Sequence, residues 1–180
     1  IPHPTMSYNE LGQLTSKARS KNYESQLFQY NIRGWLTRLG CEVFNEDLYY
    51  EKTSTGGQGC YNGNISQSRM EWMVGDLSSD NWYMTEEYDY QSLLLNHTYD
   101  QLSRLTNTTS TDGFSKFGEA MTYDKHGNIR TINRGGIYQH GWNYIYPNHT
   151  YGVIDNVTLS YEGNQLNNAV DLANDPLYLG

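Results

Sequence analysis

Apolar side chains are in short supply in this chain: they make up 37% of 180 residues, phenylalanine occurs only 4 times, and the mean hydropathy is -0.76. That scarcity excludes a core built mainly of aliphatic residues, and no apolar run approaches the roughly 20 residues that a membrane-spanning helix requires. Basic residues are also few, 12 against 20 acidic ones, for a net charge of -8. They are scattered, so the positive stripe that phosphate neutralisation demands is missing and nucleic acid is a poor candidate partner. Cysteine is limited to Cys41 and Cys60. The pair could form one bridge, lacks metal-type spacing, and reads as structural or free thiols rather than catalytic ones. The opening "IPHPTMSYNE" has neither the charged nor the apolar region of a signal peptide, so the chain reads as a mature or excised piece.

What the chain does have is tyrosine, 17 of them with 4 tryptophans, so amphipathic rings must carry much of the burial. Glycine is abundant at 17 and proline rare at 4, while asparagine and threonine are conspicuous, a mixture that favours β-type segments joined by many turns. A chain of this length has room for one ordinary domain with a real core. The expectation is an all-β fold with one helix at most.

The tyrosines are not randomly placed. Tyr8-Asn9-Glu10-Leu11-Gly12-Gln13-Leu14 recurs as Tyr30-Asn31-Ile32-Arg33-Gly34-Trp35-Leu36, as Tyr99-Asp100-Gln101-Leu102-Ser103-Arg104-Leu105, and as Tyr123-Asp124-Lys125-His126-Gly127-Asn128-Ile129. Two shortened relatives run from Tyr61 through Gly63 to Ile65 and from Tyr161 through Gly163 to Leu166. Asn or Asp opening a type I turn, with Gly in the left-handed position at its end, is the chemistry of a three-residue hairpin loop with a bulge. Each copy is therefore expected to be a hairpin tip, with Asn9 facing Gln13 and Tyr8 facing Leu14 on one sheet face. Such pairs contribute about 0.2 to 1 kcal/mol each. Ser103 stands where the other full copies have Gly, so that tip is expected to be strained or to use a different turn. Successive tyrosines of the series are 22 to 38 residues apart, so the outer connections vary while the tips are kept. "SSDNWYMTEEYDYQ" and "RGGIYQHGWNYIYPNHTYG" read as the longer connections.

Sites for chemistry are hard to find. His3, His97, His126, His140 and His149 show neither metal spacing nor a cysteine partner, and Glu86, Glu87, Asp76 and Asp80 sit in polar stretches that read as solvated loops. No catalytic residue, metal site or cofactor is assigned. Exposed rings can stack on sugars, which makes Trp72, Trp82, Trp142, Tyr144 and Tyr146 candidate ligand-binding residues, joined in this region by Tyr83, Tyr88 and Tyr90. Packing is the simpler role for most of them, because "WNYIY" alternates as a strand does. Asn64, Asn96, Asn107, Asn148 and Asn156 open Asn-x-Ser/Thr sequons, which matter in an animal secreted protein and are left unused in a bacterial one.

The Tyr-Asx-x-x-Gly-x-Leu frame, repeated from Tyr8 to Leu166, resembles the RHS or YD-repeat family. "YNIRGWLTRL", "NISQSRMEWM", "YDKHGNI" and "VTLSYEGNQL" are more similar to RHS proteins of Bacteroides-type gut bacteria than to animal teneurins. The resemblance implies tandem antiparallel β-hairpins in a curled or spiral sheet, part of a hollow shell that in bacterial toxins encloses a toxic domain. It implies a non-enzymatic structural segment of about six hairpin units over residues 1–180, cut from a large secreted or cell-surface protein. The partners are then the remainder of the parent chain and a glycan or cell-surface protein, without nucleic acid or membrane insertion. "AVDLANDPLYLG" does not reproduce the family's self-cleaving end, so no cargo or protease role carries over. A carbohydrate- or protein-binding module is the alternative, and a polysaccharide hydrolase a more distant one.

Overall fold

A computed structural model describes residues 5–18, 25–55, 58–74, 89–111, 113, 116–140 and 149–173. The fold is all-β, with no helix among the described residues. Twelve strands follow one another: β1 (Thr5–Tyr8), β2 (Leu14–Ala18), β3 (Ser25–Tyr30), β4 (Leu36–Gly40), β5 (Phe44–Tyr49), β6 (Gln67–Val74), β7 (Asp89–Tyr99), β8 (Leu105–Ser110), β9 (Glu119–Tyr123), β10 (Ile129–His140), β11 (His149–Glu162) and β12 (Gln165–Asp171). They pair in chain order in one sheet, so that six antiparallel hairpins lie in tandem. Internal contacts divide the chain into two units, β1 to β6 with the opening of β7, and the rest of β7 with β8 to β12.

In the first unit Tyr8 faces Leu14 and Tyr30 faces Leu36, as the frame predicts. The second unit repeats the arrangement with Tyr99 opposite Leu105, Tyr123 opposite Ile129 and Tyr161 opposite Leu166. A further bulge, beyond the one expected in the loop, is not predicted by the frame. Directly after each of these pairs the register skips a residue: Ser7 faces Ser16, Gln29 faces Arg38, Thr98 faces Asn107, Thr122 faces Thr131 and Ser160 faces Asn168. Thr15, Thr37, Thr106, Arg130 and Asn167 are thus left over as bulges. A bulge bends its strand and sharpens the local twist, and here it falls at one place in five hairpins.

The third hairpin departs from the expectation. Its strands β5 and β6 run in unbroken register from Phe44 opposite Trp72 to Tyr49 opposite Gln67. The connection is therefore long, and Tyr61, Gly63 and Ile65 lie inside it rather than at a strand-flanked tip. The frame at Tyr61 is one residue shorter than that at Tyr161, which does face its Leu166. The sixth hairpin closes differently again, through Gly163 and Asn164 alone between the facing pair Glu162 and Gln165. The stretch 134–152, expected as a connection, instead contributes much of β10 and β11, which pair from Arg134 with Asp155 to His140 with His149.

Among the described residues, buried side chains are few and mostly polar. Leu95 and Tyr50 are buried large apolar residues, beside Ser66, Gln67, Ser68, Thr108 and Ser110. Hydrogen bonding rather than oily burial thus holds much of this sheet, in keeping with the composition.

The glycine slot obeys one rule throughout. Gly12, Gly34 and Gly127 have φ of 75°, 80° and 92°, and Ser103 sits at 62° in the same turn. Of the two outcomes expected for Ser103, the structure takes the first: the tip keeps its shape and carries the strain. Replacing it should release about 1 kcal/mol, the cost of a side chain in the left-handed region. Ser103→Gly is accordingly expected to raise the midpoint of urea unfolding, and an unchanged or lower midpoint would contradict a strained tip.

Candidate functional site

The chemistry-bearing residues of this protein gather at the tips. At each full copy the Asn or Asp side chain accepts two backbone amides: Asn9 from Leu11 and Gln13 at 3.0 and 2.9 Å, and Asn31 from Arg33 and Trp35 at 3.0 Å each. Asp100 takes Leu102 and Arg104 at 2.9 and 3.0 Å, and Asp124 takes His126 and Asn128 at 2.8 and 2.9 Å. The amide of the fourth turn residue closes on the first carbonyl at 2.9 to 3.2 Å in all four, with Ser103 doing so where the others use Gly. Only a short side chain with an oxygen at this distance can satisfy both amides, which is why the position alternates between Asn and Asp.

Successive hairpins are stitched by tyrosine. The Tyr30 hydroxyl donates to the Leu14 carbonyl at 3.0 Å, and the Tyr123 hydroxyl to the Leu105 carbonyl at 2.6 Å. Each acceptor is the aliphatic residue of the preceding tip, on the peptide that opens the bulge. The same bond joins Tyr50 to the Leu36 carbonyl at 2.8 Å. Tyr50, not Tyr61, is therefore the working tyrosine of the third hairpin.

A second stitch comes from the residue between the glycine slot and the aliphatic position. Gln13 accepts from Asn9 within its own tip at 2.8 Å and donates to the Gly34 carbonyl of the next at 3.3 Å. Arg104 pairs with its own Asp100 at 2.6 Å and reaches the Asp124 carbonyl at 3.2 Å, with its guanidinium 4.5 Å above the Tyr123 ring. Asn128 binds its own Asp124 at 2.9 Å and the Gly163 carbonyl at 3.4 Å. Three residue types thus perform one task, which is why this position shows no pattern in the sequence.

Trp35 holds the fourth such position and stitches by packing. Its ring lies 5.0 Å from that of Tyr50 and against Gly63, where an added Cβ would meet it at 3.3 Å. Arg33 donates to the Tyr61 carbonyl at 3.4 Å and pairs with Glu51. The long connection of the third hairpin is thereby folded onto the second tip. Gln67, fully buried, ties it from within by accepting from Ser54 and donating to Thr55. Gly59 passes so near the Glu51 carbonyl that a Cβ there would overlap it.

Other expected sites resolve differently. Trp72 lies within β6 opposite Phe44 and is half-buried. Trp82, Trp142, Tyr144 and Tyr146 fall outside the described residues, as do Tyr83, Tyr88, His3, Glu86, Glu87, Asp76, Asp80 and Asn148, and the side chains of Tyr90, His140 and His149. His97 packs in β7 against the Thr108 hydroxyl at 3.0 Å, and burial lowers its pKa. Cys41 and Cys60 are free thiols. No group of three or more His, Cys, Asp or Glu among the described residues is placed to hold a metal. An open groove of about 580 Å³ lies beside the fifth tip, between Tyr123, Lys125, His126 and Arg130 on one side and Leu159 and Tyr161 on the other.

The tip carboxylates carry a pH dependence. Hydrogen bonds from the Arg104 backbone and then its side chain hold Asp100 below the usual carboxylate range. The Asn128 side chain, followed by the backbone amides of Asn128 and His126, does the same for Asp124. A carboxyl lowered in the folded state contributes fully above its unfolded value, roughly pH 4, and the contribution is lost as pH falls through the lower folded value. Asp100→Asn with Asp124→Asn keeps the acceptor oxygen, as Asn9 and Asn31 do, and removes the titration. Melting followed by circular dichroism from neutral pH into strong acid should show a smaller loss for this variant than for the parent chain; identical losses would contradict the assignment. No protein-family model and no curated protein matches the chain, so function rests on this geometry.

Proposed function

We propose that the chain is a non-enzymatic structural repeat segment of a large secreted or cell-surface protein of the RHS/YD-repeat kind, building part of a β-sheet shell or display scaffold. Its working partner is the remainder of the parent chain. The observation that carries this reading is where the tip chemistry goes: the Asx oxygens, the hydroxyls of Tyr30, Tyr50 and Tyr123 and the side chains of Gln13, Arg104 and Asn128 are engaged with their own or the neighbouring hairpin. Repeat arrays gain stability from such nearest-neighbour bonds, whereas a catalytic or recognition site leaves polar groups converging on a ligand.

A binding module is the competing reading, and one experiment separates the two. The folded chain is applied to a glycan array and incubated with surface polysaccharides, beside Trp72→Ala, Trp82→Ala and Trp142→Ala. A scaffold gives neither turnover nor ring-dependent binding. Binding lost on a single tryptophan replacement, or hydrolysis lost on a single carboxylate replacement, would overturn the structural reading.

A further inference from the structure

Of the described arginines, Arg33, Arg38, Arg69, Arg104 and Arg134 each pair with a carboxylate, and Arg130 pairs with none among the described residues. With 20 acidic residues against 12 basic ones, a guanidinium without a carboxylate is the exception in this chain. Arg130 is exposed and lines the open groove of about 580 Å³ beside the fifth tip. Lys125, which likewise has no carboxylate partner among the described residues, lines it too, together with His126. The acid there, Asp124, has its oxygens occupied by the backbone amides of His126 and Asn128 and by the Asn128 side chain. The groove is therefore electropositive in a chain whose net charge is -8.

The repeat places this groove where its own pattern changes. Arg130 is the bulge residue of the fifth hairpin, where Thr15, Thr37 and Thr106 stand in the other full copies. A bulge re-aims its side chain. Tyr161 occupies the frame position from which Tyr30 and Tyr123 donate to the preceding hairpin, yet among the described residues its hydroxyl makes no such bond, and Tyr161 lines the groove instead. Asn128 reaches the Gly163 carbonyl at 3.4 Å and the Asn164 side chain at 3.3 Å, which joins the two walls at the rim. A comparable groove of about 560 Å³ in the first unit has Thr37 at the bulge position, and its Arg38 is neutralised by Asp47 at 3.0 Å. Open space is common to both grooves; unneutralised positive charge marks the fifth tip.

We propose that the groove beside the fifth tip binds a uronic-acid saccharide, with Arg130 and Lys125 on the sugar carboxylate and the Tyr161 ring against the sugar. A guanidinium presents paired N–H donors at the spacing of carboxylate oxygens, and an ammonium adds a point charge. A phenol ring and the Leu159 side chain cover the C–H face of a pyranose, in a volume typical of small-ligand sites. The cations are confined to one groove and form no stripe along the sheet, which disfavours the phosphate run of a nucleic acid. The site is additional to the scaffold role and independent of it. No tryptophan lines it among the described residues, so the two readings fail in different experiments.

The test is isothermal titration calorimetry with uronate trisaccharides of the galacto, gluco and manno series, their methyl esters, and triglutamate as a peptide of similar charge. At least one free uronate should bind, and its methyl ester, which keeps the sugar and loses the charge, should bind roughly tenfold more weakly or worse. Arg130→Gln and Lys125→Gln, both at exposed positions, should each weaken binding roughly tenfold, the loss of one charge-assisted hydrogen bond. Lys52→Gln, in the groove of the first unit, should leave the affinity as in the parent chain. Circular dichroism matching the parent chain verifies folding of each variant. Absence of binding by every uronate, an ester or triglutamate that binds as tightly as the free uronate, parent-like affinity in Arg130→Gln or Lys125→Gln, or an equal loss in Lys52→Gln would each overturn the proposal.

Discussion

A hydroxyl at the end of a rigid ring, donated to the peptide carbonyl of the hairpin before it, is the constraint around which this sheet is organised. Taken singly such a bond contributes on the order of 1 kcal/mol. Its influence lies in what it requires of the chain. The ring must project from the last residue before a tip, the acceptor must be the residue just after one, and the tips must align. The Asx turn fixes the loop, the left-handed residue closes it, and the bulge that follows re-aims the strand. With few aliphatic residues available, a polar ladder of this kind takes over part of the role that oily burial has elsewhere.

The side-chain couplers add a second row of contacts at the outer rim of the tips. Gln13, Arg104 and Asn128 each hold their own Asx residue and reach the next turn. A hairpin that cannot bury its own face gains stability from its neighbours, so the array behaves as a one-dimensional chain of units and interfaces. The third hairpin shows how tolerant this scheme is. A long connection replaces the compact turn, yet Tyr50 still supplies the hydroxyl and Trp35 the contact at the rim.

Much of the fold could be read from the residues because the frame states its own geometry. Asx, the left-handed slot and the spacing between them specify the turn, and the turn then sets Tyr opposite Leu or Ile in the four full copies. The second bulge, after the aliphatic residue, was hidden although Thr follows Leu in three of the frames, since threonine suits any strand position. Tyr61 was misread because Tyr-Asn-Gly imitates the frame locally, whereas Tyr50 is identified only by the register of β5 with β6 and its reach to Leu36. The couplers escaped notice because glutamine, arginine, asparagine and tryptophan share no sequence signature, only a position and a reach. For Ser103 the local penalty was legible and the choice between strain and another turn was not: the surrounding pairing and the Asp100 bonds hold a left-handed serine in the common turn.

The most direct measurement is the unfolding free energy of three single hydroxyl deletions, Tyr8→Phe, Tyr30→Phe and Tyr123→Phe. The account predicts losses of about 1 kcal/mol for Tyr30 and Tyr123 and little change for Tyr8, whose hydroxyl meets only a solvent-exposed sulfur. Equal effects at all three positions, or none at Tyr30 and Tyr123, would contradict it.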